Sequence, residues 1–210
     1  MRSIEPQPGN PWPHDMSISI DNDSQRLCYL LFVRQAWKLP IDELPELEPL
    51  LSVGESARPS SLDVNDAVAR WRSEWARAWS VLGPDRTVRM PDEEIARLLE
   101  LSDEQLVDAV SAMPSSFWAE GIDRQAFEEW RRGQRDDHSL PLDKHPERVC
   151  LDALVPAWRG GLLKIVQLPF AGYFAERVSA ATLVVSRVTR FDPALYRRAL
   201  GVAGPGQLTV

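Results

Sequence analysis

The sequence is short of the residues and motifs on which most catalytic and metal sites depend. It has two cysteines and three histidines in 210 residues, with no CxxC pair and no HExxH spacing to complete a zinc site. It also lacks the GxSxG elbow of serine hydrolases, and its glycines fit neither the Walker nor the dinucleotide fingerprint. We therefore predict no catalytic residue, no metal and no cofactor, and the sequence favours a protein that is not an enzyme.

Long apolar runs and an excess of positive charge are missing too. No segment approaches the ~18 apolar residues of a membrane-crossing helix, and the N-terminus has no apolar signal core. The net charge of −7 argues against nucleic acid as a partner, because phosphate binding needs a basic surface. Cys28 and Cys150 each lie in an apolar run, which is typical of buried free thiols in a reducing compartment. We expect a cytoplasmic, bacterial protein that binds neither membranes nor nucleic acids.

Composition predicts one globular domain, residues 16–210, preceded by a flexible leader, residues 1–15. The 44% hydrophobic content is enough for a core. Prolines recur through residues 39–60, where the leucines between them predict an extended connection pinned to the surface. Residues 160–200 are predicted to end the domain with two strands and a helix.

Capping residues and apolar spacing predict most of the helices. Asp21 or Asp23 can cap a helix over SQRLCYLLFVRQAW, although CYLLFV would also suit a strand. Asp123 caps RQAFEEWRRGQR, and further helical blocks are predicted between residues 91 and 113. ERVCLDALVPAW is expected to be a helix that is interrupted or kinked at Pro156.

Strand signals are fewer and lie mostly near the C-terminus. Ile18 and Ile20 alternate with serines, which predicts a short edge strand. LLKIVQL and TLVVSRVTR are rich in branched residues and predict two more strands, after which Asp192 caps a helix over PALYRRAL. We predict an α+β fold, a mostly helical body with a small antiparallel sheet of two to four strands in the C-terminal third. An all-α body with an incidental hairpin is the alternative.

Three tryptophans four residues apart, Trp71, Trp75 and Trp79, form one stripe of a predicted helix that Ser60, Ser61 or Asp63 can cap. Burying each would contribute about 4–6 kcal/mol before ordering costs, so the stripe is predicted to be the spine of the core. An exposed edge of the stripe would instead be a hot spot for partner binding, because tryptophan is enriched at such sites. Base stacking is disfavoured by the acidic charge.

Basic residues are concentrated at the C-terminal end. Residues 151–210 carry seven Lys or Arg against three Asp or Glu, although the whole chain is acidic. Arg187 and Arg190 lie on or beside a predicted strand, and Arg197 and Arg198 lie on the helix that follows. Because arginine forks suit carboxylate and phosphate groups, these four side chains are predicted either to pair with the acidic body or to bind an anionic ligand or acidic partner.

These observations support three functional hypotheses. The first is a protein-binding module, such as an adaptor, an immunity-type protein or a subunit of a complex. The second is an enzyme whose site is assembled from distant residues, with His138, His145 and the aspartates of the 136–145 loop beside the C-terminal arginines. The third is a structural subunit of a phage or secretion assembly, whose leader and 39–60 segment would wrap around neighbours.

Overall fold

Helices cover both faces of a four-stranded mixed sheet in the computed structural model, which describes residues 11–49, 52–83, 121–134 and 140–202. The α+β class is therefore confirmed. The helical blocks predicted between residues 91 and 113 lie outside the described residues. The elements in chain order are β1 (Ser19–Asp21), α1 (Gln25–Ala36), α2 (Val64–Ser80), α3 (Arg124–Gln134), a 3-10 turn (Leu142–Lys144), α4 (Pro146–Val149), α5 (Leu151–Arg159), β2 (Lys164–Leu168), β3 (Ala175–Arg177), β4 (Thr182–Ser186), α6 (Arg187–Phe191) and α7 (Pro193–Leu200).

The strands are ordered β1-β2-β4-β3 across the sheet. β1 and β4 both run parallel to β2, and only β3 is antiparallel, to β4. The prediction of an antiparallel sheet confined to the C-terminal third is thus wrong in two respects, because the sheet is mixed and its first strand comes from residues 19–21. The cause is β3, which reverses the chain at the outer edge so that β4 returns parallel to β2.

The last predicted strand ends earlier than its sequence pattern indicates. β4 stops at Ser186, and the residues after it form the helix α6. The Ser186 hydroxyl accepts a hydrogen bond from the backbone N–H of Thr189 at 3.0 Å, which caps the helix. The strand interpretation of residues 187–190 is therefore wrong, and Arg187 and Arg190 lie on a helix.

Both faces of the central strands are buried, and alternate residues of β2 and β4 enter two separate cores. Val166 and Val184 face the first core, with α1, α2 and α3, whereas Ile165 and Leu183 face the second, with α5 and α7. The expected capping by aspartate is confirmed at three helices. Asp63 accepts from Asn65, Asp123 accepts from Ala126, and Asp192 accepts from Ala194 and Leu195, all through backbone N–H groups.

Two other local predictions are corrected. The helix over residues 25–36 is confirmed, but it begins after Ser24, and Asp21 instead accepts a hydrogen bond from the backbone of Asp23. The helix of ERVCLDALVPAW is divided at Cys150, whose φ of −108° and ψ of 27° depart from helical values, and Pro156 lies inside α5.

The 39–49 segment is joined to the loop that follows β2. The Glu48 N–H donates to the Pro169 carbonyl at 2.9 Å, and the Ala171 N–H donates to the Glu46 carbonyl at 2.8 Å. Near the N-terminus, the Trp12 indole donates to the Met16 carbonyl and packs against the second core. The division into a leader and a single domain stays a prediction.

Candidate partner-binding surface

Arg190 is buried and belongs to a polar network at the end of the sheet. It is 2% exposed, and its guanidinium holds the Glu147 carboxylate at 2.8 and 3.0 Å and the Gln167 side-chain oxygen at 2.9 Å. The Tyr196 hydroxyl donates to the same carboxylate at 3.0 Å. Burial, together with the Glu147 charge, raises the pKa of Tyr196 well above its usual value. The network therefore fastens β2, α4, α6 and α7 together.

Arg197 is exposed and also pairs within the chain. Its Nε lies 3.0 Å from Asp152 Oδ2, and its Nη2 donates to the Val149 carbonyl at 2.9 Å. The hydrogen bond from Arg197 lowers the pKa of Asp152, and the carboxylate raises the pKa of Arg197 in turn. This contact joins α7 to α4 and α5 across the surface of the second core.

Arg187 and Arg198 lie against aromatic rings at the surface. The Arg187 guanidinium carbon is 5.2 Å from the centre of the Phe191 ring, and its Nη1 donates to the Gln134 carbonyl at 3.1 Å. The Arg198 guanidinium carbon is 4.4 Å from the centre of the Tyr173 ring. At these distances both guanidinium groups make cation–π contacts with the rings.

Hydrogen bonds bring the Tyr173 loop and helix α6 together. The Ser186 hydroxyl donates to the Gly172 carbonyl at 2.6 Å, and the Phe174 N–H donates to the Thr189 hydroxyl at 2.9 Å. Gly172 adopts a φ of +64°, a conformation that favours glycine and turns the loop toward α6. Tyr173 is thus held between two anchored neighbours, next to the first turn of α6.

We group these two arginine–ring pairs, together with Val188 of α6, under the name arginine–aromatic surface, because the Tyr173 loop is hydrogen-bonded to the start of α6. Its apolar members are between 36% and 38% exposed. Arginine and aromatic residues are enriched in the binding hot spots of protein interfaces. The surface consists of Tyr173, Arg187, Val188, Phe191 and Arg198.

The tryptophan stripe is stacked along α2. Successive ring centres are 5.0 Å apart from Trp71 to Trp75 and 5.4 Å apart from Trp75 to Trp79. Trp71 is 1% exposed, and its indole donates to the Leu30 carbonyl at 2.6 Å, whereas Trp75 and Trp79 are half-buried against the first core. A binding role for the stripe stays a prediction. Any partner would have to contact the accessible edges of Trp75 and Trp79.

The enzyme hypothesis stays a prediction, because part of its proposed site falls outside the described residues. His138 lies outside the described residues, and the Nε2 of His145 is 3.1 Å from the Leu140 carbonyl. Cys28 and Cys150 are buried free thiols, as expected. Among the described residues, no three His, Cys, Asp or Glu side chains are grouped to hold a metal ion.

A cleft of about 370 Å³ lies between the end of α1 and the segment that follows it. Arg34 and Lys38 line it together with Asp42 and Glu46, so its walls carry charges of both signs. The Arg34 guanidinium donates to the Pro45 and Leu44 carbonyls at 2.7 and 2.9 Å and braces the segment. This arrangement indicates no particular ligand class.

Sequence reasoning found the arginines of the arginine–aromatic surface but missed Tyr173, Val188 and Phe191. The missed signal is the spacing of Arg187 and Phe191, which are four residues apart and share one face of a helix. The strand interpretation of residues 187–190 concealed that spacing, because residues four apart on a strand are too distant to touch.

Searches against protein-family models, curated proteins and solved structures find no match to this chain. Within the described ranges, no helix has the length and apolar character needed to cross a membrane.

Proposed function

We propose that this chain is a protein-binding module, and that its partner docks on the arginine–aromatic surface through a segment carrying carboxylates. The proposal rests on three exposed apolar side chains and on two arginines that lie over aromatic rings, all on α6, on α7 and on the loop that is hydrogen-bonded to α6. Apolar side chains supply the area removed from water, and the exposed Arg198 guanidinium supplies charge-assisted hydrogen bonds.

The charge of the chain supports an acidic partner segment. Arg187 and Arg198 belong to the basic C-terminal stretch of a chain whose net charge is −7. An acidic partner would be repelled by most of the protein and attracted by this end, which orients the encounter. The partner chemistry that fits is therefore a carboxylate flanked by apolar side chains.

The elements that form the arginine–aromatic surface are fixed by contacts within the protein, and this rigidity favours a binding role. The buried pairing of Arg190 with Glu147 fixes α6, and the contacts of Ser186 and Thr189 fix the Tyr173 loop. A preformed surface loses less conformational entropy when a partner docks. Adaptor, immunity-type and complex-subunit roles all fit this proposal, and the two buried free thiols suit a reducing compartment.

Site-specific photo-crosslinking in the native host tests the proposal. A photoreactive phenylalanine analogue at Phe191 is expected to form a covalent adduct with one defined protein. The matched control carries the analogue at Leu142, which is 56% exposed but lies outside the surface. Adducts at both positions, or at neither, would count against the proposal.

Charge-reversal variants test the proposal through the affinity for the partner. Arg198→Glu is expected to weaken the crosslinked partner's affinity at least tenfold, because it replaces attraction to a carboxylate by repulsion. Arg72→Glu reverses the charge of another exposed arginine, on α2, and should leave the affinity within about twofold. Equal losses in the two variants would indicate long-range charge rather than a docking surface.

A further inference from the structure

The strand beside the arginine–aromatic surface lies at the edge of the sheet. β3 pairs with β4 on one side, and no strand in the described ranges pairs with its other side. The open backbone of an edge strand can pair with an extended segment of another chain. Two features of β3 decide whether it suits such a partner, namely the direction of its free backbone groups and the side chains beside them.

The register fixes which backbone groups of β3 are free. The Ser186 N–H donates to the Phe174 carbonyl, and the Val178 N–H donates to the Thr182 carbonyl. The backbone groups of Phe174 and Val178, which flank β3, therefore face β4. In an antiparallel pair, residues alternate between facing the partner strand and facing away from it. The N–H and C=O groups of Ala175 and Arg177 therefore face outward from the sheet.

The same alternation decides which side chains border the free edge. Tyr173, Ala175 and Arg177 share one face of the strand, and Ala175 packs toward the second core on that face. Arg198 of α7 covers Tyr173 from this same side. The Arg177 guanidinium folds back onto the Ser179 and Ala180 carbonyls, which leaves Arg198 as the cation that an incoming side chain would meet.

We infer that the acidic partner segment binds by adding a strand to β3, a mode that rests on the proposed function. Backbone hydrogen bonds to Ala175 and Arg177 would hold the segment in an extended form. Its alternate side chains would then lie beside Tyr173 and Arg198, with a carboxylate on the Arg198 guanidinium. Because β3 is three residues long and carries charged side chains, pairing alone is weak, and the Arg198 contact supplies the selectivity.

Strand addition can be probed with short peptides. They are selected for binding to the purified protein from a phage-displayed library of random dodecamers. We expect the selected peptides to carry acidic side chains and to have no proline in their central segment. They should bind the Arg198→Glu variant with much lower affinity than the unmodified protein. Amide hydrogen exchange then locates the contact. The Ala175 and Arg177 amides are expected to exchange at least tenfold more slowly in the peptide complex than in the free protein.

The outcomes separate the two proposals. Binding that needs Arg198 without slower exchange at Ala175 and Arg177 would overturn strand addition and leave the proposed function standing. Failure to select any peptide whose binding depends on Arg198 would count against both.

A proline variant tests the same inference through affinity. Ala175→Pro removes an outward N–H but no hydrogen bond to β4, and proline is tolerated on such edges. It should lower peptide affinity about tenfold, whereas Ala175→Val, which keeps the N–H, should change it little. Unchanged affinity in a folded Ala175→Pro would contradict strand addition. If that variant does not fold, the exchange measurement on the unmodified chain decides.

Discussion

Arg190 and Glu147 form a two-point ion pair inside the protein, although 43 residues separate them in the chain. The Nε–Oε1 and Nη2–Oε2 distances are 2.8 and 3.0 Å, and the two residues are 2% and 7% exposed. The Gln167 side-chain oxygen accepts a further hydrogen bond from Arg190, and the Tyr196 hydroxyl donates one to Glu147. A buried pair of this kind holds its elements in one arrangement, and it makes the removal of either partner costly.

The first prediction concerns that pair. Glu147→Gln should lower the free energy of unfolding by about 3–5 kcal/mol, because it leaves the Arg190 charge buried without a counter-charge. Urea denaturation followed by circular dichroism measures the loss. Asp152→Asn, which neutralises the exposed pair with Arg197, is the control and should cost far less, since water screens that pair. Losses of similar size would contradict the assignment of Arg190 to the interior.

The second prediction ranks the stacked tryptophans. Trp71→Ala should lower the free energy of unfolding by about 3–5 kcal/mol, because it opens a cavity in the first core. The same substitution at half-buried Trp79 should cost clearly less, since part of that ring already contacts water. Urea midpoints of the two variants, measured side by side, check the ranking. An equal cost would mean that Trp79 is as deeply packed as Trp71.

The third prediction concerns Lys38, which directly follows Trp37, the C-cap of helix α1, and has a φ of +49°. This left-handed conformation is unfavourable for any residue with a Cβ, and glycine is the usual residue at such helix ends. Lys38→Gly should therefore raise the free energy of unfolding by about 0.5–1 kcal/mol. Lys38→Ala keeps the Cβ and should bring no such gain. A thermal melt that ranks alanine at or above glycine would refute the argument.

The fourth prediction is a loss of stability at alkaline pH. Burial raises the pKa of the Cys28 thiol from 9.0 to about 12, with smaller contributions from Asp23 and Asp21. Because the folded pKa is higher than the unfolded one, this contribution is fully present below pH 9.0 and is lost as pH rises toward about 12. The urea midpoint should fall between pH 9 and 11, and less steeply in Cys28→Ala. Identical pH slopes in the two proteins would contradict the prediction.

Local signals were sufficient for several elements. The aspartates Asp63, Asp123 and Asp192 cap the helices that their sequences predict, because a short carboxylate reaches the first free N–H groups of its own helix. β2 was recognisable from its branched residues. These predictions depend on residues within a few positions of each other, where propensity and capping act.

Local signals misled where a distant contact outweighs them. Residues 187–190 alternate like a strand, yet Ser186 caps a helix there, and Arg190 gains a buried carboxylate from the segment at 146–149. The arrangement of β1 beside β2 joins residues about 145 positions apart, which no local pattern encodes. The position of Tyr173 beside Arg198 depends on the same long-range assembly.

The amino-acid sequence is enough to predict a helical body with a few strands, a tryptophan stripe on one helix and a basic C-terminal end. Spacing, capping and composition act along the chain, so they can be recognised there. The folded chain alone reveals that the sheet is mixed, that Arg190 is buried on Glu147 while Arg198 is exposed on Tyr173, and that no strand of the described ranges pairs with the outer side of β3. Those outcomes depend on which distant groups are brought together, because burial and pairing energies arise only when the chain has folded.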